Sequence, residues 1–203
     1  MQAVSKQQDP MADRRGADAR CVRGALRGDL SAFDELVGRY QRQATAVAYR
    51  LLNSREDAME VVQDAFLKAF DKLASLSRPE RFAAWLMRIV SNLALNRRRA
   101  RALRRTASLE QMAEADDGRG ELNRPDPAAE QPDDAASAGE LRGLLAEAID
   151  ELPDVQRQAL VLFSIGEMPQ KEVADILGCS VEAVKWHVFT ARKKLKERFK
   201  DYF

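Results

Sequence analysis

Apolar positions recur along this chain with helical spacing, in successive blocks separated by clear breaks. Val62, Ala65, Phe66, Ala69, Phe70 and Leu73 stand at offsets 0, 3, 4, 7, 8 and 11, which places them on one stripe of a helix. After the loop ASLSRPER the same spacing returns in Phe82, Trp85, Leu86, Ile89, Val90, Leu93 and Ala94. Upstream, 18–27 and 31–52 read as helices broken at Gly28 and Asp29, and Ser54 opens a capping box with Asp57 three positions on. Downstream, a helix over 140–151 ends before Pro153, VQRQALVLF forms the next, and Gly166 and Pro169 set off two more. The pattern predicts an all-α protein whose first half is a helical bundle.

Residues 106–139 break this regularity. They carry Pro125, Pro127 and Pro132, three glycines and acids from Glu110 to Asp134, and large apolar side chains nearly vanish after Met112. Such a segment buries too little surface to offset the entropy of ordering it. It reads as a flexible acidic linker between two small helical domains, 18–105 and 140–203, with 1–17 as a disordered polar tail. A linker of this length has a root-mean-square span of about 30 Å and a stretched limit near 110 Å.

Composition agrees with helix: aromatics are 6% of the 203 residues, and Ala, Leu, Arg and Glu dominate. The net charge of +1 hides an uneven distribution of charge. Cys21 and Cys179 lie far apart, which argues against a disulfide framework and fits a reducing cytosol. No apolar run reaches the ~18 residues of a membrane span, and the N-terminal stretch has no hydrophobic core of a secretory signal. A cytoplasmic location is expected.

The strongest chemical signal lies near the C-terminal end, in QKEVADILGCSVEAVKWHVFTARKKLKERFK. Ala174, Gly178 and Val184 stand at offsets 0, 4 and 10. In a helix-turn-helix the small residue lets two helices approach, the glycine takes the positive φ of the turn, and the branched residue packs the second helix on the first. Ser180 is placed to cap that second helix, whose buried stripe would be Val184, Val188, Ala191 and Leu195. Its other face offers Glu182, Lys185, Trp186, Phe189, Thr190 and Lys193 to DNA, and Arg192 to Lys200 form a basic end suited to phosphates. On charge alone that end could equally be a solvated helix terminus, and the turn pattern upstream decides for DNA. Trp186 and Phe189 could contact thymine methyls, or cover a partner surface when DNA is absent. His187, with no second histidine or cysteine pair near it, is a DNA-facing or packing residue rather than a metal ligand.

On the last helix of the first domain, Arg88, Asn92, Asn96 and Arg99 stand at offsets 0, 4, 8 and 11, opposite the apolar stripe. Asparagines within a basic ribbon suit hydrogen bonds to bases, with arginines on phosphate, although a polar helix back would look similar. Trp85, on the apolar stripe, is expected in the core.

At these residues the chain resembles a bacterial RNA polymerase sigma factor of the extracytoplasmic-function (ECF) group. The resemblance runs through LRGDLSAFDELVGRYQ, DAMEVVQDAFLKAFDKL, FAAWLMRIVSNLALNRRR, LPDVQRQALVLF and the helix-turn-helix, in that order. It implies a sigma-two-like and a sigma-four-like domain that bind core polymerase, direct it to promoters and assist strand opening in a stress or envelope response. It further implies docking of the third helix on the β′ clamp helices, through Asp57, Glu60, Val61, Asp64, Leu67 and Asp71 on its outward face, and contact with the β subunit. Ser77, Arg78, Arg88, Asn92, Asn96 and Arg99 would face the minus-ten element, where a base is extruded, and the helix-turn-helix would read the minus-thirty-five element. An anti-sigma factor, often membrane-bound, is an implied partner that could hold the protein at the inner membrane face. No cofactor, metal or small-molecule substrate is expected. Trp186 and His187 depart from the small or basic residues usual in the family at those positions.

Two other DNA- or protein-binding readings are weaker. A response-regulator activator would need a strand pattern in the first domain, which offers none, and a protein-only adaptor would not need the arginine ribbon. An enzyme would need a nucleophile–base pair, clustered metal ligands or a Gly-rich phosphate loop, and none is legible.

Overall fold

The computed structural model describes the backbone of residues 10–114 and 134–200. Helix α1 (Pro10–Leu26) ends in a turn through Gly28, at φ +94°, where Asp29 caps α2 (Leu30–Leu52) by accepting from the Ala32 N–H at 3.3 Å. Asn53, in the left-handed region, closes α2, and Ser54 caps α3 (Arg55–Asp71) by accepting from the Asp57 N–H at 3.3 Å. The Asp57 carboxylate is occupied elsewhere, by Arg97 and Arg101 of α4 (Phe82–Glu114).

These four helices pack around Phe82, which is fully buried with Phe33, Tyr40 and Trp85 ringed about it at centroid distances of 5.8–6.5 Å. Trp85 packs against this core, as its spacing predicted. Beside it the buried Asp18 accepts from the Tyr40 hydroxyl and pairs with Arg39, which is how a lone carboxylate is tolerated inside. Burial, followed by the bond to Asp18, pushes the Tyr40 pKa well up.

The second module is α5 (Asp134–Asp150), α6 (Asp154–Ser164), α7 (Gln170–Leu177) and α8 (Val181–Arg198). Arg157 is buried and donates to the carbonyls of Ile149, Asp150 and Leu152, so one guanidinium satisfies the acceptors left free at the end of α5. Desolvation there lowers its pKa.

The helices overrun three expected boundaries. α1 begins at Pro10, so 10–17 are not part of a tail, α4 continues to Glu114, and α5 begins at Asp134. Proline at a first helical position and runs rich in Ala, Arg, Glu and Leu carry the backbone on where no apolar stripe demands it. The remaining linker, 115–133, lies outside the described residues. The two modules themselves pack together: Gln43 of α2 donates to the Gly166 carbonyl, and Leu51, Leu95 and Arg98 of the first module face Asp154, Arg157 and Gln158 of the second across a small gap. A side chain at position 166 would force the backbone to shift, because a Cβ there would lie 2.6 Å from the Leu162 carbonyl oxygen.

Candidate nucleic-acid and polymerase interfaces

Helices α7 and α8 meet at the predicted turn. Gly178 closes α7 in the left-handed region (φ +67°), and Ser180 caps α8 by accepting from the Ala183 N–H at 3.1 Å. Ala174, Val184, Val188 and Ala191 are buried, with Val173 and Ile176 completing the seam. That packing turns Glu182, Lys185, Trp186, Phe189 and Lys193 outward, with Trp186 57% and Phe189 67% exposed. Two large aromatics held this far into water are costly unless something covers them. Thr190 is half-buried at the edge of this face. His187 is half-buried too, with its ring edge-on to Trp186 at 5.0 Å and its Nδ1 sealed from solvent, so it supports the indole from behind.

The basic end of α8 divides in two. Arg192 lies over the Phe163 ring and donates to Ser164, Arg198 reaches Glu151, and Lys193 sits 3.9 Å from Glu197. Lys194, Lys196 and Lys200 are exposed without an ion-pair partner among the described residues, which leaves them as the cations available to phosphate.

On α4, Arg88, Asn92, Asn96 and Arg99 are all exposed and form the expected ribbon. Ser77 and Arg78 are exposed in the turn before it, where Arg78 adopts an extended conformation ahead of the 3-10 turn Pro79–Arg81. Arg99 itself and the arginines around it are engaged within the protein. Arg97 pairs with Asp57 and Glu60, Arg101 with Asp57, Arg98 with Asp150 and Arg99 with Asp154. Asp57, then Glu60, raises the Arg97 pKa through these bonds.

The outward face assigned to α3 needs correction. Val61 is buried, 3% exposed, because it lies three positions from Ala58 and four from Ala65, on the row that faces the core. Asp57 and Glu60 are tied to α4, which leaves Asp64, Leu67 and Asp71 exposed as expected. Conversely Phe70, expected in the core, is 42% exposed, and Met59 (58%) and Leu67 (59%) join it. With Leu30 and Tyr49 they line an apolar groove of about 1380 Å³ between α2 and α3. The resemblance puts Leu67 on the outward face, while spacing alone draws Phe70 into the apolar stripe and leaves Met59 unassigned. Among the described residues no cluster of His, Cys, Asp and Glu could hold a metal, and no helix is long and apolar enough to cross a membrane.

Helical module, exposed basic ribbon and helix-turn-helix together define a two-module DNA-binding protein. Residues 36–104 match the sigma-70 region 2 family and residues 142–195 the sigma-70 region 4 family. The chain belongs to the ECF RNA polymerase sigma factors, which are initiation factors of transcription. It is 31% identical over 183 residues to the ECF RNA polymerase sigma-E factor of Escherichia coli, spanning 89% of this chain and 93% of that protein. Identity to the RNA polymerase sigma-H factor of Pseudomonas aeruginosa is 30% over 178 residues, spanning 88% and 91%. Among solved structures, CnrH in complex with the cytosolic domain of CnrY aligns over 91% of this chain and 98% of its own, with a TM-score of 0.66 and 29% identity.

Proposed function

We propose how the residues divide this work. The α2–α3 groove, with Leu67, Met59 and Phe70 exposed and Asp64 and Asp71 beside it, receives the β′ clamp helices, and the second module contacts the β subunit. A partner helix laid there would cover apolar surface that otherwise faces water. Arg88, Asn92, Asn96 and Arg99 face the minus-ten element with Ser77 and Arg78 beside them. Asparagine amides offer paired donors and acceptors to a base edge, and extruding a base costs a few kcal/mol that such contacts offset. Lys185, Trp186, Phe189, Thr190 and Lys193, with Glu182 and the capping Ser180, read the minus-thirty-five element, while Lys194, Lys196 and Lys200 hold phosphate.

The observation that carries this reading is the pair of exposed aromatics on a helix that is anchored by its buried Val184, Val188 and Ala191 and turns its polar face outward. The protein performs no catalysis of its own, and works in the cytoplasm in a stress or envelope response. An anti-sigma factor is its negative partner; CnrH, its structural relative, was solved with CnrY. Reconstituted transcription tests the whole. Core polymerase with the purified chain should initiate at a discrete set of genomic promoters sharing two elements. Random initiation indistinguishable from core alone would overturn the reading.

A further inference from the structure

We propose that α1 carries a further nucleic-acid contact. Its arginine stripe Arg20, Arg23 and Arg27 holds the phosphates of the unpaired strand where that strand leaves the minus-ten element on the downstream side. The three arginines stand at offsets 0, 3 and 7, so they share one side of the helix. All are exposed, on the side away from the buried Asp18, Cys21 and Val22. Arg27 lies in the turn after α1, where its N–H donates to the Gly24 carbonyl at 2.9 Å and continues the helical path. None of the three has an ion-pair partner among the described residues. Asp29, the next acid along the chain, already accepts from the Ser31 hydroxyl at 2.6 Å and from the Ala32 N–H.

A basic helix face in water is common, and its position sets this one apart. Helix α1 packs along the Pro79–Arg81 turn, which directly follows the exposed Ser77 and Arg78. The α4 ribbon from Arg88 to Arg99 spans about 16 Å, a length that matches about five nucleotides at about 3.4 Å each. The linker leaves α4 at its far end, beyond Arg99, and carries the module assigned to the upstream element. The Arg88 end of the ribbon therefore faces downstream, and a strand leaving it at Arg78 passes onto α1.

From Arg20 to Arg27 the stripe covers about 10 Å, room for about three phosphates. A guanidinium is planar and always charged, and it can grip two phosphate oxygens at once. Such contacts position a strand without reading its bases. The stripe would thus hold the melted strand whatever its sequence there. This contact rests on the two-element reading above, from which it takes the direction of the strand.

Fork-junction templates, bound by core polymerase with the full chain, test this. One template ends its unpaired non-template strand at the last base of the minus-ten element, and the other continues it by several nucleotides. The triple variant Arg20→Ala, Arg23→Ala, Arg27→Ala should bind the longer template less tightly than wild type does, and the shorter one equally. Each single-strand phosphate contact contributes about 0.7 to the salt slope, so the wild-type advantage should shrink about twentyfold between about 50 and 200 mM salt. Lysine at all three positions should keep most of that salt dependence. An equal loss on both templates, or a salt slope that alanine leaves unchanged, would overturn the contact. So would weaker association of the triple variant with core polymerase in the absence of DNA, which would make the stripe a protein contact. A chain that shows the overhang-dependent effect yet binds every minus-ten sequence alike would refute the promoter reading and leave the strand contact standing.

Discussion

Arg97 of α4 lies 2.8 Å from the Asp57 carboxylate at the start of α3, and it reaches Glu60 one turn further on. An arginine next to the DNA-facing ribbon of α4 therefore joins two helices of the bundle. Asp57 is also positioned at the positive end of α3, where a carboxylate is favoured before any partner arrives. Arg97→Ala and Asp57→Ala should each destabilise the protein modestly, and the double variant should cost less than the sum, with a coupling of about 0.5–1 kcal/mol. DNA affinity should fall less for Arg97→Ala than for Arg88→Ala, whose side chain is exposed on the ribbon. Urea titrations and a gel shift read the two quantities separately, and strictly additive unfolding energies would dissociate the pair.

The α2–α3 groove and the row behind it should respond in opposite ways. Leu67→Arg is expected to lower association with core polymerase by tenfold or more while leaving the unfolding midpoint close to wild type. Val61→Ala should do the reverse, costing about 1–3 kcal/mol of stability through lost packing with polymerase binding retained in the folded fraction. Copurification with core enzyme alongside thermal melts checks both. A Leu67→Arg protein that copurifies normally would remove the groove from the docking surface.

Recognition by α8 should separate into reading and holding. Alanine at Lys185, Trp186 or Phe189 should cost about 1–3 kcal/mol per lost base contact and relax preference at one or two upstream positions. Alanine at Lys194 or Lys196 should weaken binding to all sequences alike and flatten its salt dependence. Selection from a randomised upstream element, repeated at two salt concentrations, distinguishes the two; an unchanged preference in the Trp186→Ala protein would mean that the indole reads no base.

Asn92→Ala with Asn96→Ala should leave polymerase binding intact and reduce open-complex formation on linear duplex. A premelted template should recover much of the lost activity, because the cost of unstacking has then been met in advance. Permanganate footprints matching wild type on closed duplex would exclude these amides from strand opening.

How much of this was legible depends on which force set each feature. The helix-turn-helix could be read closely, since Ala174, Gly178, Ser180 and Val184 answer to backbone geometry and close approach, which act within a dozen residues. The α4 ribbon was legible for the same reason: one period places Arg88, Asn92, Asn96 and Arg99 on one side. The error at Val61 has a different origin. Helix α3 packs on both α2 and α4, so two apolar rows are at least partly covered, and a single stripe read from the sequence misassigns both Val61 and Phe70. The module interface was not legible at all. Arg98 and Asp150, or Arg81 and Asp175, are partners only because the tertiary fold brings them together, and nothing in their local sequence announces it.

Helix α4 runs without interruption from Phe82 to Glu114, 33 residues, a rod about 50 Å long. Its first turns are locked in the core by Phe82, Leu86, Met87 and Val90, while its outer turns carry Asn92, Asn96, Arg97 and Arg99. Angular phase is therefore inherited along the rod. Inserting or deleting one residue between Val90 and Asn92 would rotate everything beyond by about 100°, at about 3.6 residues per turn. The asparagines would leave their face and Arg97 would swing away from Asp57 together. Within this helix, evolution is free to exchange side chains but hardly free to change length.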